Sequence, residues 1–199
     1  YDRITALNSK VSFDCVMMNN LEEISRYAIK FLVLDVNYMK DAGKLIGADH
    51  EEKFRYYEET ILSDVNMLRE LYDNYYEFVR LAMKMTEHCF AYCEEIIRNF
   101  YKDKEELKKK LEISKNDDID IVSIKIGSGD KHNGKSVARV LLSNKMQVLY
   151  KPHSLELDKN FSEFIKWVNH KKNGDMLDLK AAECMSFNSY SWAFYVRNN

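Results

Sequence analysis

Asp120-Ile-Val-Ser-Ile-Lys-Ile126, Gly127-Ser-Gly-Asp-Lys-His-Asn-Gly134, Lys135-Ser-Val-Ala-Arg-Val-Leu-Leu142, Ser143-Asn-Lys145 and Met146-Gln-Val-Leu-Tyr-Lys-Pro152 follow one another without a break. Of the six glycines in the chain, Gly127, Gly129 and Gly134 fall within eight residues here, and the single proline closes the stretch. Apolar residues recur with a period of two. Ile119, Ile121, Ser123 and Lys125 alternate against Asp120, Val122, Ile124 and Ile126, while Met146, Val148 and Tyr150 oppose Gln147, Leu149 and Lys151. The spacing predicts strands over 119–126, 136–142 and 146–151, a β-meander with a glycine-rich loop in its first connection and Lys151 at the end of its third strand. Such a loop lets backbone N–H groups approach phosphate, because glycine has no Cβ, and a lysine nearby adds a point charge.

Three phosphate-binding designs use glycines, and the context separates them. Gly134-Lys135-Ser136 matches the letters that end a Walker A loop, but that loop must open a helix, and Val137 to Leu142 is β-branched and runs into a tight turn. The dinucleotide fingerprint needs a helix at the same place. A kinase-type hairpin needs strand, glycine loop, strand and then a lysine on the following strand, and that order is met. The plainer readings are a β-turn whose glycines supply positive φ, and a Lys151 that is merely a solvated strand end. A turn does not account for Asp130, whose carboxylate repels phosphate unless a cation intervenes. Nor does it account for His132, which titrates near neutrality and can donate to a phosphate oxygen or move a proton.

Upstream the pattern is helical. A helix is expected from Asn20, through Leu21, Ile24, Ala28, Phe31 and Leu32, to near Gly43, and a second from Asp49 to about Leu62 with Phe54, Tyr57 and Ile61 on one face. From a cap at Ser63 or Asp64 a long helix is expected near 64–111, with two helices joined by a short polar turn as the alternative. Its stripe runs through Tyr72, Tyr75, Val79, Ala82, Thr86, Cys89, Cys93, Ile96 and Phe100. A core helix of a bundle is favoured over a partner-binding coiled coil, because flanking helices can cover it. Residues 1–19 show no sustained period. Downstream, Leu157, Phe161, Phe164, Ile165 and Val168 predict an amphipathic helix ending near Asn173-Gly174, followed by a hairpin from Leu177 to Val196. The fold expected is therefore α+β. A helical region over 1–112 precedes a β-β-β-α-β-β antiparallel sheet over 113–199, similar to a kinase N-lobe.

Thirty basic and 32 acidic residues give a net charge of −2, which offers no electrostatic argument for nucleic acid or a membrane surface. No run approaches the roughly 20 apolar residues of a membrane helix, and no signal peptide is discernible. Cys15, Cys89, Cys93 and Cys184 have no metal-site spacing and are expected to be reduced thiols, with no metal held.

Read together, Gly129-Asp130-Lys131-His132-Asn133-Gly134-Lys135 and Tyr150-Lys151-Pro152-His153 resemble the paired motifs of the dehydratase domain of class II lanthipeptide synthetases, the LanM type. The family carries Gly-Asp-x-His-x-x-Gly-Arg and, about fifteen residues on, Tyr-Lys-Pro-Arg, so Lys135 and His153 stand where arginine is usual. Trp167-Val168-Asn169 and Tyr190-Ser191-Trp192 add to the likeness, which covers roughly 50–199. The resemblance implies a cytoplasmic enzyme acting on a ribosomal precursor peptide. With ATP and Mg²⁺ it phosphorylates Ser and Thr, then eliminates phosphate to leave dehydroamino acids, and zinc belongs to a separate downstream cyclase domain. It further implies that Lys151 contacts ATP phosphates and that the Gly127–Gly134 loop covers them. Asp130 and His132 take part in the chemistry, and Glu163, on the next helix, is the carboxylate that orients Lys151. The chain opens on Tyr1, and no catalytic Asp/Asn set or zinc motif follows. The expectation is a piece of a longer protein that needs the remainder of its own chain and does no chemistry alone. A fragment of another kinase-like phosphotransferase, and a non-enzymatic helical interaction module, are the alternatives.

Overall fold

A computed structural model describes residues 2–8, 10–132, 134–172 and 177–194, with Phe13 and residues 129–132 described by backbone alone. In order, the elements are α1 (Asp2–Leu7), α2 (Phe13–Asp41), α3 (His50–Tyr56), a π-helical segment (Tyr57–Ile61), α4 (Val65–Asn74), α5 (Tyr76–Lys110), β1 (Ile121–His132), β2 (Lys135–Leu142), β3 (Gln147–Lys151), α6 (Glu156–Lys171), β4 (Cys184–Ser186) and β5 (Ser191–Phe194). This is the α+β order read from the sequence. The expected end of α6 at Asn173-Gly174 and the continuation of the last strand to Val196 lie outside the described residues. The chain forms two compact units, one of residues 1–19 with 90–199, the other of residues 20–89.

The first unit is built on a five-stranded antiparallel sheet in the order β1-β2-β3-β5-β4. One face packs on the second half of α5, where Tyr92, Cys93, Ile96, Ile97, Phe100 and Leu107 are buried. Opposite them stand Ala138, Val140, Val148, Tyr150 and Trp192, all fully buried. Each large apolar side chain removed from water here contributes on the order of 1.5–3 kcal/mol. The aromatic centre is edge-on. Tyr150 and Trp192 lie 4.9 Å apart at 70°, and Phe100 meets Trp192 at 6.4 Å. Buried Asp103 of α5 accepts from Tyr190 Oη and Trp192 Nε1, both at 2.9 Å, so one carboxylate satisfies two buried donors of the β5 segment.

Alternation holds in β2 and β3 but breaks in β1. Ile121 pairs with Leu142 and Ser123 with Leu141, a register shift that lets both Ile121 and Ile124 point into the core. A bulge inserts one residue and reverses the parity beyond it. The strand also continues past Ile126 through the glycine stretch. His132 pairs with Lys135, so the expected loop is mostly a hairpin with further register shifts between Lys125 and His132.

The unpatterned N-terminal residues close the open edge of β1. Asn19 donates Nδ2 to Ile124 O at 2.6 Å and accepts from Ile126 N at 2.9 Å, as a strand would, and Asn8 Nδ2 donates to Ile121 O at 2.9 Å. Ile4, Val11 and Val16 add to the same core. α2 starts seven residues before the expected Asn20, with the Ser12 hydroxyl accepting from Cys15 N.

In the second unit Asp49 and Asp64 cap α3 and α4 through their carboxylates. Met39, Leu45, Tyr57 and Ile61 form a small core, and Tyr57 Oη donates to buried Asp35 at 2.8 Å. Phe54, expected on the same face, is 57% exposed. The helical stretch expected near 64–111 is divided at Tyr75 (φ −115, ψ 42) into α4 and α5. No glycine or proline breaks it there. Instead Phe31 packs on Tyr75 and Phe78, with ring centroids 5.9 and 4.7 Å away.

Candidate functional site

The sheet face away from α5 carries the candidate site. Directly opposed residues share a face, so the pairings Lys125–Arg139, Arg139–Leu149, Leu149–Ala193 and Ala193–Cys184 place those five side chains in one row. The adjacent row holds Ser128 and Val137, then Lys151, Ser191 and Ser186. The face thus has an apolar floor of half-buried Val137 and Leu149, with half-buried Lys151 and the exposed Arg139 beside them and Ala193 buried.

Beside this face lies the glycine hairpin. Gly127 has φ +100 at a register shift, and Gly134 has φ +79 in the turn, conformations that L side chains adopt at a cost. Gly129, Asp130 and His132 lie on the hairpin arm. The side chains of Asp130 and His132 are outside the described residues.

Pro152 ends β3, as its missing N–H requires. His153 O then accepts from the buried Ser191 Oγ at 2.7 Å, and Leu155 N donates to Ser186 Oγ at 2.9 Å, which leads the chain into α6. Glu163 is an exposed residue of α6. It lines a cleft of about 190 Å³ with Lys159, Lys166, Glu106, Lys110 and Glu183. Among the described residues no ion pair joins Glu163 to Lys151. Burial pushes the Cys184 thiol up, Asp158 adds to that, and the Lys151 and Lys159 ammoniums oppose it, so these charges surround one thiol.

Behind the face, Glu95 of α5 accepts a hydrogen bond from Lys135 Nζ on one oxygen and from Tyr150 Oη, at 2.9 Å, on the other. Tyr150 Oη also accepts from Asn99 Nδ2 at 2.8 Å. Tyr92 Oη donates to Ser136 O at 2.5 Å, and Ser136 Oγ accepts from Gly127 N at 2.9 Å across the hairpin. Burial, then the neighbouring Glu95 charge, push the phenols of Tyr92 and Tyr150 well above the usual range.

Sequence reasoning found Lys151 and the glycines but did not single out Val137, Leu149 or Arg139 as parts of the face. The period-two pattern contained them, because Leu149 and Lys151 already shared a side. Glu95 was missed. Its signal was a carboxylate among the apolar helix positions Tyr92, Ile96 and Phe100. Among the described residues no group of three or more His, Cys, Asp or Glu side chains could hold a metal ion, and no helix is long and apolar enough to cross a membrane.

Comparison with known proteins adds two findings. The lacticin 481/lactococcin biosynthesis protein LcnDR2 of Lactococcus lactis subsp. lactis is 28% identical over 174 residues, an alignment covering 84% of this chain. The chain spans only 18% of the length of that protein. The match bears out the resemblance to class II lanthipeptide synthetases carried by the glycine and Tyr-Lys-Pro motifs. A family model described as a domain of unknown function, DUF4135, matches residues 75–199, which contain the sheet, the glycine hairpin, Lys151 and Glu95. That match covers more than half of the chain, and the chain belongs to the DUF4135 family.

Proposed function

We propose that this chain is the nucleotide-binding part of a lanthipeptide synthetase dehydratase, in which residues 113–199 act as a kinase-like N-lobe preceded by the helical region 1–112. The full-length protein works in the cytoplasm on a ribosomal precursor peptide. ATP supplies the phosphoryl group for Ser and Thr hydroxyls, and loss of phosphate then leaves dehydroamino acids. Val137 and Leu149 receive the flat base, Lys151 holds phosphate oxygens, and the Gly127–Gly134 hairpin lies over them. Asp130 and His132 serve the phosphorylation and elimination steps from that hairpin. Mg²⁺ accompanies the ATP, and zinc belongs to a cyclase domain downstream. The observation that carries the reading is the placement of Lys151 on the open face, one strand from Val137 and beside Leu149, at the foot of the glycine hairpin.

The test uses the full-length protein with its precursor peptide and ATP. Lys151→Ala is expected to abolish both phosphorylated and dehydrated peptide in mass spectra while leaving the circular dichroism spectrum unchanged. Product masses equal to those of the parent protein would sink the proposal. Transfer of phosphate to a small molecule, with no change in the peptide, would mark a different phosphotransferase.

A further inference from the structure

Both halves of the candidate site converge on one carboxylate. Lys135 is the first residue of β2 after the hairpin turn, and Tyr150 is the residue before Lys151 in β3. The two are held by the two oxygens of Glu95, which is on α5 and distant from both in sequence. The carboxylate is about two-thirds buried, with 34% side-chain exposure, so its interactions are only partly screened. A further hydrogen bond and a cation–π contact secure the hairpin base to the same helix turn. Tyr92 Oη reaches Ser136 O, and the Lys135 ammonium sits 5.6 Å above the Tyr92 ring. Ser136 passes the restraint across the hairpin by accepting from Gly127 N, at the point where the ladder register shifts.

We infer that Glu95 is a positioning residue that fixes the glycine hairpin relative to Lys151, with Lys135 and Tyr150 as the two handles it grips. This gives a task to two motif residues, Lys135 and Tyr150. A hairpin with register shifts is a compliant element, because its ladder is interrupted where it must be aimed. A Lys151 ammonium and hairpin N–H groups serve one polyanion only if their separation is fixed. A two-oxygen acceptor on a rigid helix adds to the β2–β3 ladder, whose pairs run from Leu141–Gln147 to Ala138–Tyr150, a side-chain restraint at the hairpin end. A cation with several donors suits the position of Lys135, so arginine can occupy it and lysine can replace it.

The inference rests on the nucleotide-site reading for its purpose, but the anchor itself is measured without nucleotide. The full-length protein, Glu95→Gln, Lys135→Met, Lys135→Arg and the Glu95→Gln/Lys135→Met double variant are compared by amide hydrogen exchange, and by KM for ATP and kcat on the precursor peptide. Glu95→Gln and Lys135→Met are expected to speed exchange in residues 121–142 by about tenfold, the scale of one hydrogen bond to a charged group. The double variant should exceed neither single by much, because one interaction is removed in all three. KM for ATP should rise several-fold with kcat less affected, and Lys135→Arg should restore both readouts. Exchange elsewhere in the sheet serves as the control for global loss of stability. Hairpin exchange that is unchanged, or singles whose effects simply add, would overturn the anchor. A parent protein that binds no ATP while its variants still loosen the hairpin would overturn the nucleotide reading and leave the anchor standing.

Discussion

Tyr150 and Tyr190 show how single side chains in this core carry opposed demands. Each ring is buried, and each hydroxyl donates to a carboxylate, Glu95 for Tyr150 and Asp103 for Tyr190. The phenols of both are pushed upward, first by burial and then by those neighbours. The folded chain therefore holds these protons more tightly than the unfolded chain, where a tyrosine titrates near about pH 10. By linkage, the stabilisation is fully present below about pH 10 and is lost as the pH rises through the raised native values. The expected outcome is a melting temperature that does not respond to tyrosine ionisation up to about pH 9 and falls above pH 10. A phenolate absorbance titration should show a set of tyrosines that ionise only as ellipticity is lost. If all thirteen tyrosines titrate together near pH 10 with the fold intact, the buried phenol–carboxylate pairs are not as described.

At the scale of elements, the β1–β2 hairpin divides what a sequence can announce from what it cannot. Gly127 sits at φ +100, and a Cβ added there meets nothing within 4 Å. The cost of Gly127→Ala is thus one of backbone strain alone, about 1–2 kcal/mol, and chemical denaturation should show that loss with an unchanged slope. A neutral substitution would mean that the chain can relax the bulge. The period of two, the Ser143–Lys145 turn and the Asp64 cap were readable, because each depends on neighbours in sequence. So was Lys151 on the face opposite Val148 and Tyr150. The bulge between Ile121 and Ser123 was not, since a register shift is a property of the strand pair. Helical spacing in α6 grouped Leu157, Phe161, Phe164, Ile165 and Val168, but the first three are exposed, and only Ser162 and Ile165 of that helix are buried. Periodicity says which side chains share a face and nothing about whether another element reaches it. Glu95 was unreadable for a related reason: a carboxylate beside an apolar stripe is indistinguishable from a solvated one until Lys135 and Tyr150 arrive from 40 and 55 residues away.

At the scale of the molecule, the sheet-bearing unit is assembled from two segments separated by seventy residues, and the shorter one has a defined task. β1 is an edge strand, and an unpaired edge is a template for association with another chain. Here Asn8, Cys15 and Asn19 occupy it. Asn19 supplies both a donor and an acceptor, Asn8 a donor to Ile121 O, and the Cys15 sulfur lies 3.3 Å from both the N and O of Ile124. The same segment contributes Ile4, Val11 and Val16 to the core, each nearly or wholly buried. Its lack of periodicity follows from this work, since residues that cap an edge are chosen for hydrogen bonding at particular points. Deleting residues 1–19 should therefore do two separable things. Loss of the three apolar side chains lowers stability by several kcal/mol, on the order of 1.5–3 kcal/mol each. Loss of the caps exposes the edge and drives concentration-dependent association, read as rising mass in light scattering. Asn19→Ala isolates the second effect, because it removes both bonds at the centre of the edge while leaving the apolar contacts in place. Association should appear in this variant with only a modest fall in melting temperature. If the deletion associates but Asn19→Ala stays monomeric at the same concentrations, exposed core rather than the freed edge is the cause, and the capping role of Asn19 is wrong.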